Sequence, residues 1–530
     1  MSELENPKLF SAYKVVMQNQ PHLPDSLHAY LIESTAPENI DDKQNDNTND
    51  NNKYKDKLIP INVDQDGGVI DDIADTLICS KNPALIISVH GFNSPSEVIL
   101  PGFWDSFKCV HDDKYINNRD IVCIGYRWPS EAMFSPRHTI FKSSPYFLRV
   151  LFVGGVIFLS LLITTLISAW YEHFKGVIGH GTTIFIGIAD PLFEILVTLF
   201  FLAIPVTLFL LRNAVYFRDG YRAASFGIPD LVEIIRQIDK KLAERSRLSW
   251  IGLPPRRVQL SFIAHSMGAY VVTSVVRILS DVFDPASVRV GLNSNQLRGE
   301  TRDPKVLSKI GHAFRLKRLV LVSPDIPAEA LISNRANFLS NSLSRFEEVF
   351  LFSNEGDEVL RQISTAANYF SFPTKSSSFG YRLGNVCLLD PLTYGINSQK
   401  FDQRYLEIGK MMLFELNKII EKASGREDLA KRFSYFDCTD CVEDGNGVLT
   451  LAKRGHKIWK FDHFFLFLLY IYNSVKHDVH GGYFRSPFLK KLIYRLVCIG
   501  SEDTAKVYAA EGFSLHEQCK KHQVRVLLKS

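Results

Sequence analysis

The chain has 530 residues, enough for one large domain with insertions or for two domains, and its 46% apolar content can fill a sizeable core. A net charge of +4 is too mild to argue for nucleic acid as a partner. Eight scattered cysteines do not make a disulfide scaffold in a chain this long, and the polar start MSELENPKLFSAYK has no apolar h-region of a secretory signal.

Residues 1–80 read as an N-terminal segment with modest apolar runs at Tyr13–Met17 and His28–Ile32. Within it, residues 35–57 are rich in Asn, Asp and Lys, a composition that cannot bury apolar surface, so a disordered loop is expected. A first core part follows over 81–145. Ala84–Val89 (ALIISV) is a short, continuous, β-rich apolar run that reads as a buried parallel strand, and it ends in His90-Gly91-Phe92-Asn93. Asp120–Tyr126 (DIVCIGY) is the next strand, followed by Arg127-Trp128-Pro129-Ser130.

Residues 146–212 depart from this pattern. Val150–Trp170 is almost wholly apolar and has about the 20 residues a spanning helix needs. Ile195–Leu211 is a second such run, with Pro205 inside it, which spanning helices tolerate. The pair reads as a transmembrane hairpin. Arg127, Arg137, Lys142 and Arg149 precede it and Arg212, Arg218 and Arg222 follow it, whereas the connecting loop has Lys175 against Glu172, Asp190 and Glu194. The positive-inside bias puts both ends, and the rest of the chain, in the cytoplasm. From Asp219 the chain becomes amphipathic, with Leu231, Ile234, Ile235, Ile238 and Leu242 at helical spacing and Pro229 near the helix start. The hairpin is thus inserted between the carboxyl end of a strand and the amino end of the next helix. Open parallel sheets bind ligands at that edge, so a membrane-borne or interfacial substrate is expected.

Residues 213–390 form a second core part. Its centre is Arg257–Leu279 (RVQLSFIAHSMGAYVVTSVVRIL). Val258, Leu260 and Phe262 alternate as in a strand; Ala264-His265-Ser266-Met267-Gly268 follows; then Val271, Val272, Val275, Val276 and Leu279 fall at helical spacing. Strand, tight turn with a central serine, and helix is the layout of a nucleophile elbow, with Ala264 at the first glycine of the G-x-S-x-G pattern. Arg318–Val322 is a strand ending in Ser323-Pro324-Asp325, and Glu348–Phe352 is another, ending in Ser353-Asn354-Glu355-Gly356-Asp357. Residues 391–475 read as a helical insertion, with an amphipathic helix over Arg404–Ala423, plus a last core strand at Arg432–Phe436. The lone Cys438-x-x-Cys441 pair has no second pair, and reads as two thiols near a strand end rather than as a zinc or redox site. Phe464–Tyr472 (FFLFLLYIY) is strongly apolar but too short to span; it reads as a core helix, with an acyl-pocket lining or a bilayer contact as the alternatives. Residues 476–530 make a C-terminal part, helical and then strand-like.

The elbow, the H-G-F-N turn and the strand ending in W-P-S together resemble the α/β-hydrolase superfamily in its lipase- and esterase-like branch. They also resemble a bacterial membrane-associated group of poorly defined function. The resemblance covers roughly residues 80–130, 213–390 and 430–485. It implies an α/β-hydrolase fold, a mostly parallel central sheet with helices on both faces, here interrupted by the hairpin, in the inner or plasma membrane of a bacterium. It also implies that Ser266 is the nucleophile and that the backbone N–H groups of Phe92 and Met267 form the oxyanion hole.

In that family the order along the chain is serine, acid, histidine. Asp357 follows the strand after which the acid usually stands; Asp325 is the reserve and Glu355 a weaker candidate, and either aspartate could instead cap a helix. Among fifteen histidines His480, in a Gly-flanked loop late in the chain, is the candidate base, with His477 the nearest rival and His463 a distant one. The expected activity is cleavage of carboxylic or thio-esters of lipid or acylated substrates, with no metal or organic cofactor implied. The competing expectation is a membrane-tethered binding or effector module that keeps the fold without turnover. Oligomeric state is not readable from the sequence.

Overall fold

The structure, a computed structural model, describes residues 10–15, 27–36, 58–61, 68–117, 120–130, 146–147, 149–150, 153–157, 160, 164, 209–249, 257–283, 309–327, 342–343, 345–367, 382–388, 396–397, 432–450, 461–466 and 478–529. The chain divides into two compact units, residues 1–131 with 219–530, and residues 132–218. The second unit contains the whole of the expected insertion, and its boundaries lie outside the apolar runs.

The larger unit is a mixed α/β structure. Its strands are β1 (Phe10–Val15), β2 (His28–Ser34), β3 (Leu58–Ile61), β4 (Ala84–Val89), β5 (Ile121–Arg127), β6 (Val258–His265), β7 (Lys309–Ile310), β8 (Phe314–Val322), β9 (Glu348–Ser353), β10 (Val386–Cys387), β11 (Ile396–Asn397), β12 (Phe433–Asp437), β13 (Val442–Glu443), β14 (Asn446–Gly447) and β15 (Arg525–Leu527). One 11-stranded sheet runs in the order β15-β12-β9-β8-β6-β4-β5-β2-β1-β3, with β7 on β8. From β12 to β2 every pairing is parallel; β15 at one end and β1 and β3 at the other pair antiparallel. The central strands β4 (ALIISV) and β5 (IVCIGYR) are nearly continuous apolar runs because both faces are covered.

On one face α2 (Ser96–His111) packs on the long C-terminal helix, α5 (Pro487–Ala510). Ile86, Cys123, Ile263 and Val320 of the sheet share a core there with Phe103, Phe107, Leu489, Leu492 and Leu496. The alternate residues Ile87, Ile124 and Phe262, all fully buried, point to the opposite face. There α1 (Val69–Cys79) packs on α3 (Ile228–Ser249), and α3 on α4 (Met267–Phe283). A short α6 (Leu515–Lys521), opened by a Ser514/Glu517 capping box, delivers β15 to the sheet edge.

The expected strand at 84–89 is present with the expected ends, those at 120–126, 318–322, 348–352 and 432–436 are present with ends shifted by a few residues, and the helices after Asp219 and Ser266 are present. Within residues 1–80, β1, β2, β3 and α1 belong to the main unit, and β2 extends the parallel part of the sheet through pairs such as Tyr30 with Ile124. The hairpin is not supported by any described helix. Among the described residues none is long and apolar enough to cross a membrane, but the runs 150–170 and 195–211 fall almost entirely outside those residues, as do the 35–57 loop and the 404–423 helix.

Candidate active site

β6 carries fully buried Leu260, Phe262 and Ala264 to the carboxyl edge of the sheet. There the chain turns within one residue. Ser266 adopts φ of +54°, the left-handed region, a conformation that costs a non-glycine residue about 1–3 kcal/mol. Hydrogen bonds on both sides hold it there. Its N–H donates to the Val322 carbonyl at 3.0 Å, and its carbonyl accepts from the N–H groups of Ala269 and Asp325, each at 3.0 Å. Met267 is the first residue of α4, so its amide has no acceptor within the helix.

The turn after β4 lies against this serine. A Cβ at Gly91 would stand 2.7 Å from Ser266 Cβ and 3.2 Å from Ser266 Oγ, so only glycine fits and the backbone that leads into Phe92 touches Ser266. His90 is a structural pin. Its Nδ1–H donates to the Gly91 carbonyl at 2.7 Å and its Nε2 accepts from the Trp128 N–H at 3.2 Å. The Trp128 indole N–H returns to the His90 carbonyl at 3.1 Å, with the two rings stacked. Burial, then the nearby Arg127, push the His90 pKa down to about 3, so the ring stays neutral and can donate and accept at once.

Asp357 and His480 arrive from two further loops. His480 Nδ1–H donates to Asp357 Oδ2 at 2.7 Å. The same oxygen accepts from the Ser323 hydroxyl. Asp357 Oδ1 accepts from the N–H groups of Val359 at 3.1 Å and Leu360 at 3.2 Å, so this carboxylate caps a helical turn and orients the imidazole together. Burial pulls the His480 pKa down, but Asp357, Asp478 and Asp325 outweigh it, and the net shift is upward from the ordinary histidine value. His480 Nε2 and Ser266 Oγ are each buried without a hydrogen-bond partner.

The loop that carries His480 is held at three points. Asp478 Oδ1 accepts from the N–H of Gly481 at 2.8 Å and of His480 at 3.3 Å. The Val479 carbonyl accepts from Asn354 Nδ2 at 2.8 Å. The His480 carbonyl accepts from His265 Nε2 at 3.0 Å. Burial, then His480 itself, lower the His265 pKa to about 4, so it donates there as a neutral imidazole. The Phe92 ring stands 6.1 Å from the His480 ring.

The structure therefore brings Ser266, Asp357, His480, Phe92 and Met267 to one edge of the sheet. The reserve acid Asp325 is engaged elsewhere: its carboxylate lies 3.1 Å from Arg382 Nε. Glu355 is buried, its pKa raised to about 7 by burial and then by Asp437, and it does not hydrogen-bond to His480. His463 pairs through Nδ1 with Glu358 at 2.6 Å and meets Arg361, not Asp357. His477 lies outside the described residues. All eight cysteines are free thiols, and Cys438 and Cys441 are fully buried. Among the described residues no group of three or more His, Cys, Asp or Glu could hold a metal ion.

Ser323, Asn354 and His265 were not singled out by the sequence. Ser323 is itself in the left-handed region (φ +44°) at the end of β8, which aims its hydroxyl at Asp357. Ser323→Ala should leave that carboxylate oxygen to the imidazole alone and so strengthen its hold on the imidazolium. The acid limb of the kcat/KM profile should then move to higher pH by about half a unit, under 1 kcal/mol. A profile that stays put or moves down would show that the hydroxyl does not tune the pair.

Comparison of the chain with protein-family models, with curated proteins and with solved structures finds no match.

Proposed function

We propose that the chain is a membrane-anchored serine hydrolase of the α/β-hydrolase type, acting on carboxylic or thio-esters of lipid or acylated substrates. The observation that carries this reading is the pairing of a left-handed Ser266, its Oγ buried and unpartnered, with a His480 whose Nδ1 is bound to Asp357 and whose Nε2 is equally unpartnered. A serine held in the left-handed region at a strand end, with an imidazole oriented by a buried carboxylate at the same edge of the sheet, is the arrangement an activated nucleophile needs.

In this mechanism Ser266 Oγ attacks the ester carbonyl carbon while His480 Nε2 takes its proton. Asp357 stabilises the imidazolium. The N–H groups of Phe92 and Met267, at a turn and at a helix N-terminus, donate to the oxyanion. The tetrahedral intermediate collapses, the leaving alcohol or thiol takes the proton from His480, and an acyl-Ser266 remains. Water then attacks this ester with His480 again as base, which releases the carboxylic acid and restores the serine.

The membrane part rests on the two apolar runs and the charge asymmetry around them. In the unit spanning residues 132–218, Val150, Val153, Val156 and Ile157 are 50%, 46%, 43% and 56% exposed, a set of apolar side chains that water would not favour. The test is labelling of detergent-solubilised protein with a fluorophosphonate probe, beside Ser266→Ala and His480→Ala. Labelling of the wild type that is lost in both variants is expected; a folded wild type that never labels would overturn the hydrolase reading. Release of the chain from membranes by an alkaline carbonate wash would overturn the anchor.

A further inference from the structure

The residues that flank the inserted unit meet at a buried node that the mechanism above does not use. Asp219, the first residue after that unit, is fully buried. Its Oδ2 accepts from the Ser130 hydroxyl at 2.7 Å and from the Asn93 N–H at 2.8 Å. Ser130, also fully buried, stands just before the unit, and its Oγ accepts from the Ser94 N–H at 3.1 Å. Arg222 approaches the other Asp219 oxygen at 3.9 Å. One carboxylate thus gathers the two ends of the insertion and the turn that follows β4.

The part of that turn it gathers is the part next to the oxyanion amide. The peptide between Phe92 and Asn93 is pinned on both sides: its N–H goes to Asp219, and its carbonyl accepts from the Ser94 hydroxyl at 3.1 Å. Asn93 is in the left-handed region (φ +55°), so the turn has a shape the backbone alone would not favour. A charged acceptor makes the stronger kind of hydrogen bond to an amide, and burial keeps water from competing for it. The Phe92 N–H belongs to the preceding peptide, whose Gly91 carbonyl is held by His90 Nδ1, so the Asp219 and His90 bonds hold the peptides on both sides of Phe92 and together restrain the direction of its N–H.

We infer that Asp219 is a positioning residue for the oxyanion turn, and that through Ser130 it ties the shape of that turn to the two ends of the inserted unit. The inference rests on the serine-hydrolase reading and deepens it: the points where the chain leaves and re-enters the main unit share one carboxylate with the oxyanion turn.

The test compares wild type, Asp219→Asn and Ser130→Ala in the full-length detergent-solubilised chain. The readouts are the fluorophosphonate labelling rate of Ser266, kcat and KM on a short-chain p-nitrophenyl ester, and thermal unfolding. Asp219→Asn keeps the shape but presents one neutral acceptor, so labelling and kcat should fall about 100-fold, the order expected for a misaimed oxyanion donor, with KM little changed. Ser130→Ala leaves the Asp219–Asn93 bond and removes the tie to the insertion, so a loss of about tenfold is expected. A purely structural role would lower the melting temperature but leave kcat per labelled serine untouched. Variants that label and turn over at the wild-type rate beside a wild type that labels would overturn the positioning role alone. A wild type that never labels would remove the hydrolase reading, and this inference with it. Should Asp219→Asn fail to fold, Ser130→Ala, which removes no charged group, decides the matter by the same rates.

Discussion

His480→Ala is expected to slow turnover of an activated ester by about a million-fold, and Asp357→Asn by about ten-thousand-fold, the sizes seen where the base or the acid of a Ser-His-acid unit is removed. The two differ because they remove different things. Without His480 nothing takes the proton from Ser266 Oγ. In Asp357→Asn the imidazole stays, but an amide can donate to Nδ1 and so leave the proton on Nε2, where the base must be bare. The pH profile separates this from simple misfolding. The His480 pKa is raised because Asp357, Asp478 and Asp325 outweigh burial, and the base works only when neutral. Activity of the wild type should therefore rise with pH along a limb whose midpoint lies above about 6.5, the unperturbed histidine value. In Asp357→Asn the nearest of those carboxylates is gone while burial remains, so the midpoint should move down. Profiles of kcat/KM for wild type, Asp357→Asn and Asp325→Asn decide it. Should Asp325→Asn carry the greater loss, or the limb of Asp357→Asn stay in place, the acid has been misassigned.

The choice between those two aspartates shows what a sequence can hold. Both follow a core strand that ends at the same edge of the sheet, so strand order left them competing. What separates them is Arg382, which lies beside Asp325, and the Ser323 hydroxyl, which goes to Asp357. Arg382 is far along the chain in a stretch with no readable period, and a serine at a strand end looks like any turn residue. The elbow was legible for the opposite reason: strand, serine and helix are covalent neighbours, and each brings its own spacing. ALIISV was legible because a strand covered on both faces must be apolar throughout, and its observed ends are the expected ones. FSAYKV and HAYLIES were not read as strands. Each is short and mixed in polarity, as suits strands near the edge of a sheet, and what secures β2 is a parallel partner some ninety residues away in β5, a pairing such as Ala29 with Cys123 that local sequence does not encode. Asn354 and His265 escaped notice because they act on the backbone of the histidine loop, and loop closure leaves no periodic trace.

The two small residues of the elbow pattern should behave in opposite ways, and Gly268→Ala should be strongly damaging. A methyl at 268 would lie 2.6 Å from the His90 carbonyl oxygen and 2.7 Å from that of Val89. Neither can retreat. Val89 is bonded in register to Tyr126 on one side and Ala264 on the other, and His90 is pinned by Trp128. The helix α4 must move instead, carrying Met267 and Ser266 with it. Overpacking against fixed backbone costs about 3 kcal/mol, and a displacement of about 1 Å at the reacting atoms costs about 100-fold in rate. Gly268→Ala should therefore melt well below the wild type and, while still folded, acylate at least two orders of magnitude more slowly. At the other end of the pattern a Cβ is already present: Ala264 is fully buried between β4 and β8 without disturbing either. Ala264→Gly, which restores the glycine of G-x-S-x-G, should gain no activity and lose about 0.5–1 kcal/mol, the entropy cost of glycine in a strand. Thermal unfolding and probe-labelling rates of the two variants, measured side by side, check both halves. If Gly268→Ala melts and labels as the wild type does, the close packing of α4 on the end of β4 is not what aims the serine.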